Sequence, residues 1–301
     1  MSSTTNYLAQ TNPVQRGLLL VAASAILWSS GGLIVRLLDN TDVWTVVFWR
    51  SAFACVFLLV FIALRDKGQT LSLFRRMGAP GLIVAACFTV ASMGLVIALS
   101  LTTVANTLIL MSTAPFFAAL LGRVLLGERV SRRSWLTMLA ALFGVVIMVS
   151  DSLADGSIAG DLVALLIAAS FSIAVVTIRR HHQVRMAPAT CLATMLAALI
   201  SFSLATSLGV STHDFGLLAF FGAGQLGLGL ALFTTGARLA PAAQVALISL
   251  LEPILGPVWV LLVLGENPGW AALLGGAIVL LALLIHTALD LRRARPVTPT
   301  V

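Results

Sequence analysis

Apolar runs of about 20 residues, each long enough to cross a hydrocarbon core roughly 30 Å thick, follow one another along almost the whole chain. No other feature restricts the fold as strongly. Ten runs are bounded by charge, proline or glycine: residues 17–38, 43–64, 80–99, 104–122, 135–150, 162–178, 189–208, 215–235, 242–264 and 270–289. The fifth is the shortest, and Trp135 and Asp151 read as interfacial anchors at its two ends. Of the 301 residues 59% are hydrophobic and only 10% charged, so little chain is left over for a soluble enzyme domain, a nucleic-acid-binding domain or a large receptor ectodomain. The fold expected is an all-α membrane protein of ten transmembrane helices. Cys55, Cys87 and Cys191 all fall inside apolar runs, which indicates neither a disulfide framework nor a metal site. Residues 1–16 are polar with the single cation Arg16, unlike the basic n-region of a signal peptide, so the first run is expected to stay in the mature protein.

The cations set the orientation. With the amino terminus inside, sixteen of the 18 Lys and Arg residues fall on cytoplasmic segments, while Arg36 marks the outer end of the first run and Arg50 lies within the second. The opposite loops carry Asp39, Asp42, Asp151, Asp155, Asp161, Asp214 and Glu266. This bias predicts a multi-pass plasma-membrane protein with both termini, residues 1–16 and 291–301, in the cytoplasm. It also accounts for the net charge of +7 without any nucleic acid as partner.

Two passages match 138 residues apart without a gap, Ala105 to Glu128 and Ala243 to Glu266. Pro115 pairs with Pro253, and Gly127-Glu128 pairs with Gly265-Glu266. A weaker match at an offset of 143 pairs Gly17, Trp28 and Arg36 with Gly160, Phe171 and Arg179. The chain therefore divides into residues 17–150 and 160–290, five spans each. Because five is odd, the second half enters the membrane from the opposite side, and the halves form an inverted repeat. Two similar halves of opposite orientation can exchange conformations and expose a central site to each side in turn, which points to a transporter rather than an enzyme.

The residues resemble the ten-helix exporters of the drug/metabolite transporter superfamily, in particular the EamA type, over residues 14–290. Leu251-Glu252-Pro253 through Leu264-Gly265-Glu266 is similar to the second-half signature, Ala114-Pro115 through Gly127-Glu128 to the first-half one, and Phe48-Trp49-Arg50-Ser51 to the Arg motif of the second helix. The resemblance implies two five-helix bundles around a central cavity and export of small metabolites, often neutral or aromatic amino acids, across a bacterial inner membrane. One departure stands out: Ala114 occupies the place of Glu252, so the first half has no membrane acid.

Charges at membrane depth are costly and are usually paired or turned toward a cavity. Glu252 sits near the middle of the ninth run and Arg50 about seven residues inside the second. Glu252 either titrates and couples protons to export or serves as half of a structural ion pair. Pro115 and Pro253 break the ladder of the fourth and ninth helices, and their recurrence in both halves favours hinges over plain packing kinks. Asn106, Ser112, Gln225, Gln244 and Ser249 carry hydrogen-bonding groups that lipid does not tolerate, so they are expected to bind substrate or to bond between helices. Met93 and the repeat-related rings Trp28 and Phe171 complete the expected substrate site, lined by the first, third, fourth, sixth, eighth and ninth helices. No cofactor is expected, and the lack of a Walker sequence argues against ATP as a direct energy source. Gly222 to Gly227 spells GxGxxG inside an apolar run with no strand before it, so close helix packing is its expected role. A drug or sugar exporter of the same superfamily, or a membrane channel, remain the alternative readings.

Overall fold

The computed structural model describes residues 12–39, 42–66, 70–150, 157–265 and 269–293. Asp151 and Glu266, with most of both terminal segments, lie outside the described residues. Every described regular element is helical. Eight spans are Pro13–Leu37, Val43–Arg65, Gly78–Leu101, Asn106–Leu126, Ile158–Arg180, Ala187–Leu204, Thr212–Ala237 and Ala242–Leu264. They correspond to the first to fourth and sixth to ninth apolar runs. The fifth run forms the 17-residue helix Arg132–Met148 and the tenth the helix Trp270–Arg293, so each of the ten apolar runs is a helix among the described residues. A short helix, Thr70–Arg76, ends in two arginines between the second and third spans.

Local chemistry sets the span ends. Asn12, Thr103, Ser131 and Ser211 each accept a backbone N–H at a helix start, a bond that satisfies one of the orphan donors of the first turn. Gly127 and Gly265 close the fourth and ninth spans in the left-handed conformation, with φ of 68° and 69°. A side chain there would clash with the backbone, which gives the repeated Leu-Gly-Glu its physical reason.

Packing between the halves obeys a pseudo-twofold relation in which span n corresponds to span n + 5. The second span packs on the seventh, the fourth on the ninth and the fifth on the tenth. Other contacts come in related pairs: third with sixth and first with eighth, fourth with sixth and first with ninth, third with seventh and second with eighth. The closest approaches recur in the same way. A Cβ on Gly17 would lie 2.8 Å from the Gly236 carbonyl and 3.3 Å from the Ala240 nitrogen, and one on Gly160 would lie 2.8 Å from the Thr102 nitrogen. The largest core cluster, around Phe233, Leu58, Ile178 and Met186, draws on both halves. The fifth and tenth spans meet backbone to backbone, where a Cβ on Gly144 would lie 2.8 Å from the Gly275 carbonyl.

Candidate functional site

Four spans lose regular α-helix at mid-depth. The first is interrupted at Ser30, between Pro13–Ser29 and Gly31–Leu37. The fourth breaks at Ser112 and Thr113, and its second part, Ala114–Leu126, begins with Pro115 in its first turn. The ninth breaks at Leu250, and its second part, Leu251–Leu264, opens with Glu252 and Pro253. The eighth widens into a π-helical segment over Phe220–Gly227. Each break frees backbone groups that must find partners, and irregular backbone at membrane depth persists only against protein or a cavity.

These irregular places surround a cavity of about 290 Å³. From the first span it receives Trp28; from the second, Arg50 and Ser51; from the third, Phe88, Ser92 and Leu95; from the fourth, Leu108, Met111, Ser112 and Ala114. The second half adds Ile167 and Phe171, then Ala193, Thr194 and Ala197, then Gln225, Leu226 and Leu230, then Ser249, Leu250, Glu252 and Pro253. The second and seventh spans therefore join the six that the sequence pointed to, while no described residue of the fifth or tenth lines the cavity.

Trp28, Ser112, Phe171, Gln225, Ser249, Pro253, Arg50 and Glu252 come together on its wall. Met93, Asn106, Gln244 and Pro115 do not line it. Met93 is buried in a small cluster with Val47 and Ala197, and Ser201 donates to its sulfur at 3.9 Å. Asn106 donates to the hydroxyl of Thr102 at 3.3 Å and to Asp161 at 3.5 Å, which ties the third, fourth and sixth spans at the ends away from the arginine-rich face. Pro115 is buried directly behind the break. Ser51, Phe88, Ser92 and Thr194 are lining residues that sequence reasoning missed. Ser92 shares a helix face with Phe88 and Leu95, and Thr194 with Ala197, but hydropathy alone does not mark those faces as the ones turned to the cavity.

Arg50 donates to Ser92 at 3.1 Å, and its guanidinium carbon stands 5.1 Å from the centroid of the Phe221 ring. Each of Arg50 and Glu252 lies within the electrostatic reach of the other, yet no nitrogen-to-oxygen contact within 4.0 Å joins them as an ion pair. Glu252 is exposed in accessible area although it lies deep among the spans, because the space it meets is the cavity. It also occupies the first turn of the half-helix Leu251–Leu264, whose dipole favours negative charge. Four buried polar atoms of cavity residues have no hydrogen-bond partner in the protein: Trp28 Nε1, Arg50 Nε, Ser51 Oγ and Gln225 Oε1. Gln225 uses its amide nitrogen to bond the Trp28 carbonyl at 2.7 Å, which holds the eighth span against the first. Phe233 backs the wall, with ring centroids 5.1 Å from Trp28, 6.0 Å from Phe88 and 5.4 Å from Phe171.

Below the cavity, on the arginine-rich side, one acid ties several span ends together. Glu128 pairs with Arg179 at 2.9 Å and accepts the N–H of Ala242, the first residue of the ninth span, at 3.1 Å. Arg179 in turn donates to the Arg238 carbonyl at 3.0 Å at the end of the eighth. The fourth, sixth, eighth and ninth spans are latched at one end by this network.

The GxGxxG run does no phosphate chemistry here. A Cβ on Gly222 would lie 2.5 Å from both the Arg50 carbonyl and the Phe53 Cβ, and one on Gly227 would lie 2.8 Å from the Phe57 ring, so the glycines let the second and eighth spans touch. Asp39, His213 and Asp214 place three potential metal ligands within 4.8 Å of one another at the opposite membrane face. Asp214, however, is buried in the first turn of Thr212–Ala219, where it accepts the Asp39 N–H at 3.2 Å and lies 3.4 Å from His213, so its carboxylate already serves the protein.

The sequence profile of the EamA-like transporter family matches residues 15–150 and again residues 158–288. The chain belongs to the EamA-like transporter family. The two matches coincide with the two halves that pack about the pseudo-twofold, so this is a membrane transporter of the drug/metabolite transporter superfamily. No curated protein matches in sequence. A crystal structure described only as that of a protein superposes with a TM-score of 0.80 at 20% identity, over 91% of this chain and 97% of its own. That likeness shows that the two chains share a fold.

Proposed function

We propose that this EamA-family chain is a secondary transporter that exports neutral and aromatic amino acids across the bacterial inner membrane by alternating access. The observation that carries this reading is the pair of opposite charges, Arg50 and Glu252, held apart on the wall of one otherwise mostly apolar cavity. A zwitterion bridges such a pair: its carboxylate takes the free Nε donor of Arg50, and its ammonium faces Glu252. The rings of Trp28, Phe88 and Phe171 then meet its side chain. A polyanion lacks the several cations it would need. A cavity of about 290 Å³ suits a solute of amino-acid size, close to the lower end of ordinary ligand pockets, which begin near ~300 Å³.

Placement of both termini in the cytoplasm rests on the cation bias. The half-helices that begin at Ala114 and Leu251 supply the broken-helix elements that rock in alternating access. The test is counterflow in proteoliposomes loaded with one unlabelled amino acid at a time, following labelled phenylalanine, tryptophan or threonine inward. Saturable accumulation is expected for aromatic and neutral residues, with Arg50→Gln and Glu252→Gln both impaired. Flux that neither saturates nor shows counterflow overturns the carrier reading, and counterflow with sugars alone overturns the amino acid reading.

A further inference from the structure

Three cysteines scattered through apolar runs give no sign of pairing in the sequence, yet the fold brings two of them together. Cys55 lies on the second span and Cys191 on the seventh, pseudo-twofold partners that pack against each other across the boundary between the halves. Their sulfurs stand 3.8 Å apart although 136 residues separate them in the chain, and Cys191 Sγ also lies 3.8 Å from the Cys55 carbonyl oxygen. Both are free thiols, 8% and 2% exposed, and the remaining cysteine, Cys87, is half-buried on the third span.

A disulfide holds its sulfurs about 2.0 Å apart, which leaves a gap of about 1.8 Å that rotation of the two side chains about their Cα–Cβ bonds can close. Ser51, one turn before Cys55, and Thr194, one turn after Cys191, both line the cavity, so a small neutral oxidant that enters it comes within a turn of the pair. A hydroperoxide supplies the chemistry. The Cys55 sulfur, as its thiolate, attacks one peroxide oxygen; the O–O bond breaks, a sulfenic acid forms, and the hydroxide released takes up the thiol proton as water. The Cys191 sulfur then attacks the sulfenic sulfur, the S–S bond forms, the S–O bond breaks, and a second water leaves with the Cys191 proton. Two thiols lose two electrons and two protons, and one hydrogen peroxide becomes two waters.

We propose that Cys55 and Cys191 form a redox modification site, oxidised by a hydroperoxide to a reversible disulfide that joins the two halves of the transporter. The bond fixes the second span to the seventh one turn from Ser51 and Thr194 on the cavity wall, and a thiol reductant releases it.

The full-length chain, purified under reductant, reconstituted in phosphatidylcholine vesicles and treated with hydrogen peroxide, tests this by peptide mapping before and after dithiothreitol and by thermal unfolding. Peptides carrying Cys55 and Cys191 are expected to be joined after peroxide and separate after dithiothreitol. The link closes a long loop and is expected to raise the melting temperature by about 5 °C or more. Cys87→Ala should keep both effects, while Cys55→Ala and Cys191→Ala should each lose both. Neither readout uses a transported solute, so the result is independent of the substrate, and the joint mapped in the unaltered chain is independent of how well any variant folds. No joint between these two peptides, a joint to Cys87 or to a second chain in its place, or an equal rise in melting temperature with Cys191→Ala overturns the proposal.

Discussion

Removing the carboxylate of Glu128 should release the arginine-rich end of the transporter. Its side chain and that of Arg179 are only 22% and 28% exposed, and their 2.9 Å pair is shared with the start of the ninth span through the Ala242 N–H. A partly exposed ion pair contributes about 0.5 to 1 kcal/mol after solvent screening. A side-chain cap on a helix start contributes about 1 kcal/mol more. Glu128→Ala therefore removes about 1.5 to 2 kcal/mol from whichever state holds this end closed, and at 1.4 kcal/mol per factor of ten the closed-to-open ratio falls about 10- to 30-fold. Arg179→Gln leaves the Ala242 bond in place and should produce the smaller part of that shift.

The assay labels Ser112→Cys, on the cavity wall, with a membrane-impermeant maleimide applied from the arginine-rich side of oriented vesicles, in a background without Cys55, Cys87 and Cys191. Labelling should be fastest with Glu128→Ala, intermediate with Arg179→Gln and slowest in the parent. Equal rates in all three, with the fold intact by thermal unfolding, would refute the assignment of this network as a latch.

Other substitutions test the remaining arguments. Gly222→Ala drives a methyl group into the Arg50 carbonyl and Phe53, and should cost about 1 to 3 kcal/mol, visible as a lower melting temperature in detergent; an unchanged value would contradict the close packing of the second and eighth spans. Pro115→Ala and Pro253→Ala should slow exchange between the two faces while leaving substrate affinity within about twofold, since at the start of a half-helix proline mainly keeps the preceding turn from joining it. Labelling rates from both sides that match the parent would remove the hinge reading. Glu252→Gln should abolish any pH dependence of counterflow if its carboxylate carries the coupled proton, and a retained pH dependence assigns the proton elsewhere.

The ten helices were legible because lipid forces every span into the same length and hydropathy, and the repeat was legible because Pro115 with Pro253 and Gly127 with Gly265 perform the same backbone tasks in both halves. The cavity was less so. Met93 and Ser92 are neighbours about 100° apart around one helix, and only packing against the seventh span decides that Ser92 faces Arg50 and the cavity while Met93 faces Ala197. Asn106 looked like a binding amide, yet it lies close enough to the membrane face for Asp161 to take it. The π-helical turn that carries Gln225 left no mark in the hydropathy pattern, and the glycines within it, Gly222 and Gly227, show their packing role only against the second span.

The fifth and tenth spans touch each other across Gly144 and Gly275 and take no part in the cavity. They act as a seam, joining the halves and packing against the outward sides of the fourth and ninth spans, away from the cavity. Substitutions on the cavity wall can then redirect specificity without loosening the assembly, and substitutions along the seam can tune how firmly the halves are held without altering what is carried. Selectivity and cohesion are thus encoded in separate stretches of the same chain.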